Sequence, residues 1–293
     1  MKRGFLLILI LGLGLWMMAF NTNEFINEFT TQTSVYPNVF FEPKSFSYNV
    51  DFSEINNNGV HIDGAVVPHH LLAHELIEGV FHELYSQQPS TIILVGPNHF
   101  NKGEKILTTT LGWQTPFGIV KSNREIIEEL TALGLVKVTE KVFDSEHSMG
   151  SLMPFIKYYL PDTKVVPIIL HHDVSRQEAM NLGISIAEFL KDDKCIIIAS
   201  VDFSHYLTRD EAQKRDRETI HALYSKNLGR IFSMGNEYLD SPASIGVLFS
   251  AMENLEVNEF KMLDNTNSGI LLNNDIIETT SYVTLIFSKT NLE

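Results

Sequence analysis

Apolar strand-like runs that end in histidine or acid constrain this chain more than any other feature. Val66-Val67-Pro68-His69-His70, Ile93-Leu94-Val95-Gly96-Pro97-Asn98-His99 and Ser200-Val201-Asp202-Phe203-Ser204-His205 are three of them, and Glu146-His147-Ser148 is a fourth charged segment. Runs rich in Val and Ile read as strands buried on both faces. In an open α/β sheet, ligands sit beyond the carboxyl ends of the strands. Dispersed segments of this kind therefore deliver imidazoles and carboxylates to one rim of one sheet.

The remaining sequence supports an α/β reading. Strands are predicted at Gly64–Val67, Thr91–Val95, Lys105–Thr110, Val165–Leu170, Cys195–Val201 and Ser281–Ser288. Helical periodicity marks Leu71–Tyr85, Ser122–Leu133 with Ser122 as N-cap, Ser148–Leu160, Ser175–Leu190, Arg209–Ser233 and Ser241–Glu253. Trp113 to Gly118 reads as a turn from its Pro and Gly. Alternating strands and helices predict a single α/β sandwich with a mixed central sheet flanked by helices. No internal repeat or low-complexity tract interrupts it.

Composition excludes several classes. With 36 Asp and Glu against 22 Lys and Arg, the net charge is -14, and no basic cluster suited to nucleic acid is present. The single cysteine, Cys195, permits no internal disulfide and no Cys-rich zinc site, and it opens a strand as a buried residue. Met1-Lys2-Arg3 followed by uncharged, apolar Phe5 to Phe20 reads as a signal-anchor or signal peptide over residues 1–22. That reading places the globular part outside the cytoplasm, membrane-anchored or secreted. Residues 23–59 read as a tether or wrapping extension, and 60–290 as the α/β domain.

The candidate chemistry lies at the strand ends. His69 follows a strand directly, and His70 and His74 are four apart, a spacing that can chelate a metal. Gly96-Pro97-Asn98-His99 is a sharp stop that presents an imidazole, with Asn98 beside it. Asp202 can orient His205 as a carboxylate orients a catalytic or metal-bound imidazole. Glu146 and His147 are further pocket candidates, and His171-His172-Asp173 is a weaker one. No Gly-x-Ser-x-Gly elbow supports Ser204 as a nucleophile, and no Gly-rich phosphate loop is visible.

Taken in order, these segments and those between them resemble the Memo family, also called AmmeMemoRadiSam system protein B. The matching segments are Val67-Pro68-His69, Gly96-Pro97-Asn98-His99, Trp113-x-Thr115-Pro116-Phe117-Gly118, Glu146-His147-Ser148 with Pro154-Phe155, and Ser200-x-Asp202-Phe203-Ser204-His205-Tyr206. Asn267-Ser268-Gly269 and Thr280-Ser281-Tyr282-Val283 follow. The resemblance covers roughly residues 60–288 and implies a fold like that of class III extradiol dioxygenases, where two His and a carboxylate hold Fe(II). It implies His69 and His99 as metal ligands, and His205 with Asp202 as the catalytic acid–base pair.

The chain departs from the family at the third ligand. A Cys-Gly segment of the family falls near Leu239-Asp240-Ser241-Pro242, which leaves Asp240 or Ser241 at that position. The family's acidic residue after Glu-His-Ser is replaced by Gly150. The implied cofactor is a divalent metal, Fe(II) first and Cu or Zn as alternatives. The implied partners are a small molecule or peptide ligand and a radical-SAM system protein. A non-catalytic binding or scaffold role and a zinc hydrolase are the competing readings.

Overall fold

Ile92 to Val95 and Ile196 to Ala199 are apolar at every position, and all are fully buried. Only a strand with helices over both faces satisfies such a run. The computed structural model describes residues 35–46 and 60–289. Its elements in chain order are β1 (Val35–Tyr36), β2 (Gly64–Val67), α1 (His74–Tyr85), β3 (Thr91–Pro97), β4 (Ile106–Thr108), β5 (Gly112–Thr115) and β6 (Gly118–Val120). There follow α2 (Arg124–Ala132), β7 (Lys137–Val138), α3 (His147–Gly150), α4 (Met153–Tyr159), β8 (Lys164–Leu170), α5 (Arg176–Phe189) and β9 (Cys195–Ser200). The last are α6 (Arg209–Tyr224), α7 (Leu228–Ile231), α8 (Pro242–Asn254), β10 (Phe260–Asn267), α9 (Ser268–Leu271) and β11 (Ser281–Phe287).

An eight-stranded mixed sheet runs in the order β10-β11-β2-β9-β3-β8-β4-β7. Its centre, β2-β9-β3-β8, is parallel, while β11 pairs antiparallel with β2, and β4 with β8. Alternation of side chains splits the core into two layers. Ile93, Val95, Ile197 and Ala199 pack with Leu182 of α5 and Val247 of α8. Ile92, Leu94, Ile196 and Ile198 pack on the other face with Phe81 of α1 and Phe155 of α4. A separate three-stranded sheet, β1-β5-β6, brings Tyr36 against Trp113 with ring centroids 4.9 Å apart. Phe46 is buried against Phe155 at 4.5 Å.

Several local expectations are corrected. The cap of α2 is Asn123, whose side chain accepts from the Ile126 amide, and not Ser122, whose hydroxyl donates to the Leu111 carbonyl. The Trp113–Gly118 segment is more than a turn: it is most of the β5–β6 hairpin, with Gly118 at φ +122° where a side chain would be strained. β10 carries no apolar run at all. Its sequence FKMLDNTN is largely solvated, and its pairing with β11 shifts register between Met262 and Asp264. By contrast, Ser175 caps α5 in a full capping box with Glu178, as its spacing suggests.

The transmembrane expectation is also corrected. Among the described residues no helix is long and apolar enough to cross a membrane. The apolar segment on which the expectation rested, residues 1–22, lies outside the described residues. A membrane anchor is therefore not supported among the described residues.

Helices α5 and α8 meet with almost no space between them. A Cβ on Gly183 would stand 2.4 Å from the Val247 carbonyl oxygen, whereas one on Gly79 of α1 would meet nothing within 4 Å. Gly183→Ala is expected to destabilise the domain by about 1–3 kcal/mol through overpacking. Gly79→Ala is expected to stabilise it by up to about 1 kcal/mol. Urea unfolding midpoints of the two variants check this, and equal effects of the two would refute the packing argument.

Candidate metal centre

Three parallel strands place the centre. β2 and β9 pair with Val67 beside Ser200, and β3 lies on the far side of β9, so their carboxyl ends share one rim. His69, His99 and Asp202 follow these strands by two residues each. His69 is buried, and its ring is held from behind. Ser200 donates its one hydroxyl proton to the Ser148 carbonyl at 2.7 Å, so toward His69 Nδ1, at 3.0 Å, its oxygen can only accept. The proton on Nδ1 is thereby fixed, and Nε2 is the atom turned toward the centre.

His99 is held by a carboxylate. Glu146 is fully buried and accepts from the His99 backbone amide at 3.0 Å and from His99 Nδ1 at 2.7 Å. Burial alone would raise the Glu146 pKa, but its bonds to His99 and Ser148 lower it, so it stays a carboxylate. Again Nε2 is left to face inward. This carboxylate–imidazole arrangement is how proteins orient metal-bound histidines. The Ser148 hydroxyl lies 2.9 Å from both the Pro97 carbonyl, close against β3, and Glu146 Oε1, and shares its one proton between them. A Cβ on Gly96 would stand 3.1 Å from Ser148 Cβ and 2.7 Å from Met149 Cε, so glycine permits this approach.

Asp240 approaches both imidazoles. An isolated antiparallel bridge between Phe203 and Leu239 aligns the two neighbouring aspartates, and the Asp240 amide donates to the Asp202 carbonyl at 3.1 Å. Asp240 Oδ2 then lies 3.3 Å from His69 Nε2 and 3.8 Å from His99 Nε2. Donor atoms on one metal, each about 2.1 Å from it at right to tetrahedral angles, are about 3.0–3.5 Å apart. His69 and Asp240 already meet that span, and His99 is a few tenths of an ångström outside it. His69 Nε2 and Asp240 Oδ1 are both buried without a hydrogen-bond partner, a bonding capacity that a metal ion could use. The residues present therefore fit a divalent metal.

Two overlapping groups of donor atoms lie within 4.8 Å of one another: His69 with His99 and His147, and His69 with Asp202 and Asp240. His147 stacks on His99 with ring centroids 3.8 Å apart. Its pKa is lowered to about 4 by burial and by the positive charges of His69 and His99, so it is neutral at physiological pH. Asp202 is expected from sequence to serve His205, but its oxygens engage His69: Oδ1 accepts the His69 amide at 3.1 Å, and Oδ2 lies 3.5 Å from Nε2. Burial opposes ionisation of Asp202, yet His69, His205 and His70 lower its pKa. For His69 itself, burial acts downward, and the Asp202 and Asp240 carboxylates more than reverse it, raising the pKa to about 9.

The remaining candidates have other partners. Ser241 caps α8, accepting from the Ser244 amide, so Asp240 rather than Ser241 faces the imidazoles. Asn98 ties its own loop, donating to the Lys102 carbonyl at 2.8 Å. His70 Nδ1 bonds the buried Tyr282 hydroxyl, and the His70–His74 pair is absent from every potential ligand group among the described residues. His205 lies next to this group with its Nδ1 buried and unpartnered. Ser204 donates to buried Asp216 and is not available as a nucleophile. His171, His172 and Asp173 cluster, but His171 uses both ring nitrogens, Nδ1 accepting from the Asp173 amide and Nε2 donating to the Asn101 carbonyl. The space beside Gly150 is filled by Phe40, whose ring carbon would stand 2.5 Å from a Cβ there, so a larger acidic residue has no room.

Comparison with known proteins accords with this geometry. Residues 45–286 match the family described as Memo-like protein. A MEMO1 family protein of Pyrobaculum aerophilum is 31% identical over 62% of this chain and 67% of its own length. One from Methanopyrus kandleri is 28% identical over 82% of this chain and 88% of its own. One from Methanosarcina barkeri is 31% identical over 70% and 79%. Among solved structures, an uncharacterized protein of Escherichia coli K12 aligns with a TM-score of 0.52 over 77% of this chain and 99% of its own, at 13% identity, a likeness of fold. With the family match spanning nearly the whole described domain, this chain belongs to the Memo family.

Proposed function

We propose that this chain is a metal-dependent redox protein in which His69, His99 and Asp240 hold non-haem iron and act on a small molecule. The observation that carries this reading is the position of Asp240 Oδ2 within 3.3 Å of one imidazole Nε2 and 3.8 Å of the other. Two imidazoles and one carboxylate make the facial set of non-haem iron proteins, and a hard oxygen donor suits iron better than copper. The fold is taken to be of the class III extradiol dioxygenase kind. Bound there, iron supplies open coordination positions for O₂ or substrate.

The protein's own groups have distinct tasks in this reading. Ser200 and Glu146 fix the two rings so that each Nε2 faces the centre. Asp202 holds the His69 segment in place and compensates positive charge. His205, whose Nδ1 is buried without a partner, is the group that takes or gives a proton at the edge of the centre. A radical-SAM system protein is a proposed partner on family grounds.

One observation favours a second reading. His69 as an imidazolium between Asp202 and Asp240 is a charge cluster that is self-sufficient without metal. A binding or scaffold protein retaining the pocket would have that cluster, and metal content separates the two cases.

Elemental analysis of the protein purified anaerobically without chelators is expected to give near-stoichiometric iron. His69→Ala, His99→Ala and Asp240→Ala are each expected to abolish it, while Ser241→Ala retains it. Glu146→Gln is expected to weaken metal affinity by about 10–100-fold through loss of ring orientation. Metal-free protein that takes up no added Fe(II), Cu or Zn would favour the scaffold reading.

A pH dependence follows from His69. Its folded pKa of about 9 lies above its ordinary 6.5, so the stability it lends the metal-free protein is complete below 6.5 and lost as pH rises through about 9. Metal must displace that proton, so apparent affinity is expected to rise up to about tenfold per pH unit until about pH 9. Competition with a chelating dye across that range measures it, and a flat profile would contradict a protonated His69.

A further inference from the structure

Beyond the metal centre, the fold contains a cleft that reaches it. About 820 Å³ of open space runs from His99 and Asp240 outward between the β8–α5 connection and the segment joining α7 to α8. That volume holds a small organic molecule and is too small for a folded partner. Leu170, Phe232, Leu239 and Pro242 contribute apolar surface to its walls. Arg176, the first residue of α5, also lines it.

Of the arginines without an ion-pair partner among the described residues, Arg124, Arg176 and Arg217, Arg176 is the one that lines the cleft. Arg209 pairs with Asp275, Arg215 and Arg230 pair with Glu218, and both of these also reach the Tyr238 ring. Among the described residues no carboxylate or carbonyl takes the Arg176 guanidinium, which lies alongside Gly229 of α7. The acid nearest it in sequence that lines the same cleft, Asp173, is held by His172 Nε2 at 3.0 Å. In a chain of net charge -14, an unpaired guanidinium lining a cleft is a local attractor for an anion.

The type of anion follows from what surrounds it. A phosphate at a helix N-terminus is met by free backbone amides. At α5 the capping box takes the Ser175 and Glu178 amides and places the Glu178 carboxylate beside them, a negative charge that disfavours a dianion. A planar monoanion gripped by the arginine fork suits the site better than a phosphate dianion.

We propose that the cleft binds a small organic carboxylate, its acid group on Arg176, its apolar body along the walls, and its other end at the metal centre. The inference rests on the metal reading above. It makes Arg176 a specificity-determining residue that touches the substrate away from the reacting end.

The test uses the full chain loaded with Fe(II) or Zn. The probes are alkyl hydroxamates of graded chain length bearing a terminal carboxylate, each paired with its methyl ester. The hydroxamate chelates the metal, and the chain spans the cleft. At one chain length the acid is expected to bind about tenfold tighter than its ester, the scale of one charge-assisted fork. Arg176→Gln is expected to erase that preference while leaving ester affinity unchanged, and Arg176→Lys to keep part of it. Equal binding of acid and ester at every length, or a preference that survives Arg176→Gln, overturns the carboxylate inference alone. Failure of every hydroxamate to bind, or failure to load metal, overturns the metal reading and this inference together.

Discussion

The hydrogen bond from His69 Nδ1 to Ser200 Oγ joins the ends of β2 and β9, and the rest of the centre depends on it. Ser200 is a strand residue, so the imidazole is referenced to the sheet rather than to a loop. The same hydroxyl donates to Ser148, whose own hydroxyl and amide bond Glu146, and Glu146 in turn holds His99. One continuous chain of buried hydrogen bonds thus links both imidazoles. The Ser200 oxygen fixes the proton on His69 Nδ1 and the Glu146 carboxylate fixes the one on His99 Nδ1, so the network orients both rings together.

The electrostatics of the centre follow from burial. Asp202 and Glu146 are almost fully removed from water, and each keeps its charge only because an imidazole or several hydrogen-bond donors compensate it. His69 is the mirror case, a buried cation sustained by carboxylates. Without an ion, the proton on His69 offsets part of the negative charge of Asp202, Asp240 and Glu146. A divalent ion taking its place would offset one unit more, so metal binding and release of that proton are linked.

The sequence disclosed the parts governed by local chemistry. Apolar runs ending in His69, His99 and Asp202 were legible because strand burial and strand-end chemistry are both written in consecutive residues. The helix beginning at Ser175 was legible for the same reason. Asp240 could be narrowed only to itself or Ser241, because its direction depends on the long-range bridge between Phe203 and Leu239. Ser148 and Ser200 gave no signal, since a buried serine that orients a histidine looks like any other serine. Asp202 was read as the partner of His205, because its hydrogen bond to the His69 backbone is a contact between residues 133 apart. β10 was missed because a strand exposed on one edge needs no apolar pattern.

That polar strand has a consequence for how the domain can meet other molecules. A sheet this wide invites extension wherever an outer strand presents unpaired amides and carbonyls. Here one border is β10, solvated, charged at Lys261 and Asp264, and kinked where its register shifts. The other is β7, only two residues long and beginning with Lys137. Neither border offers a flat, apolar template for an incoming chain. Both borders of the wide sheet are thus guarded against edge-to-edge association, one by charge and a kink, the other by its shortness.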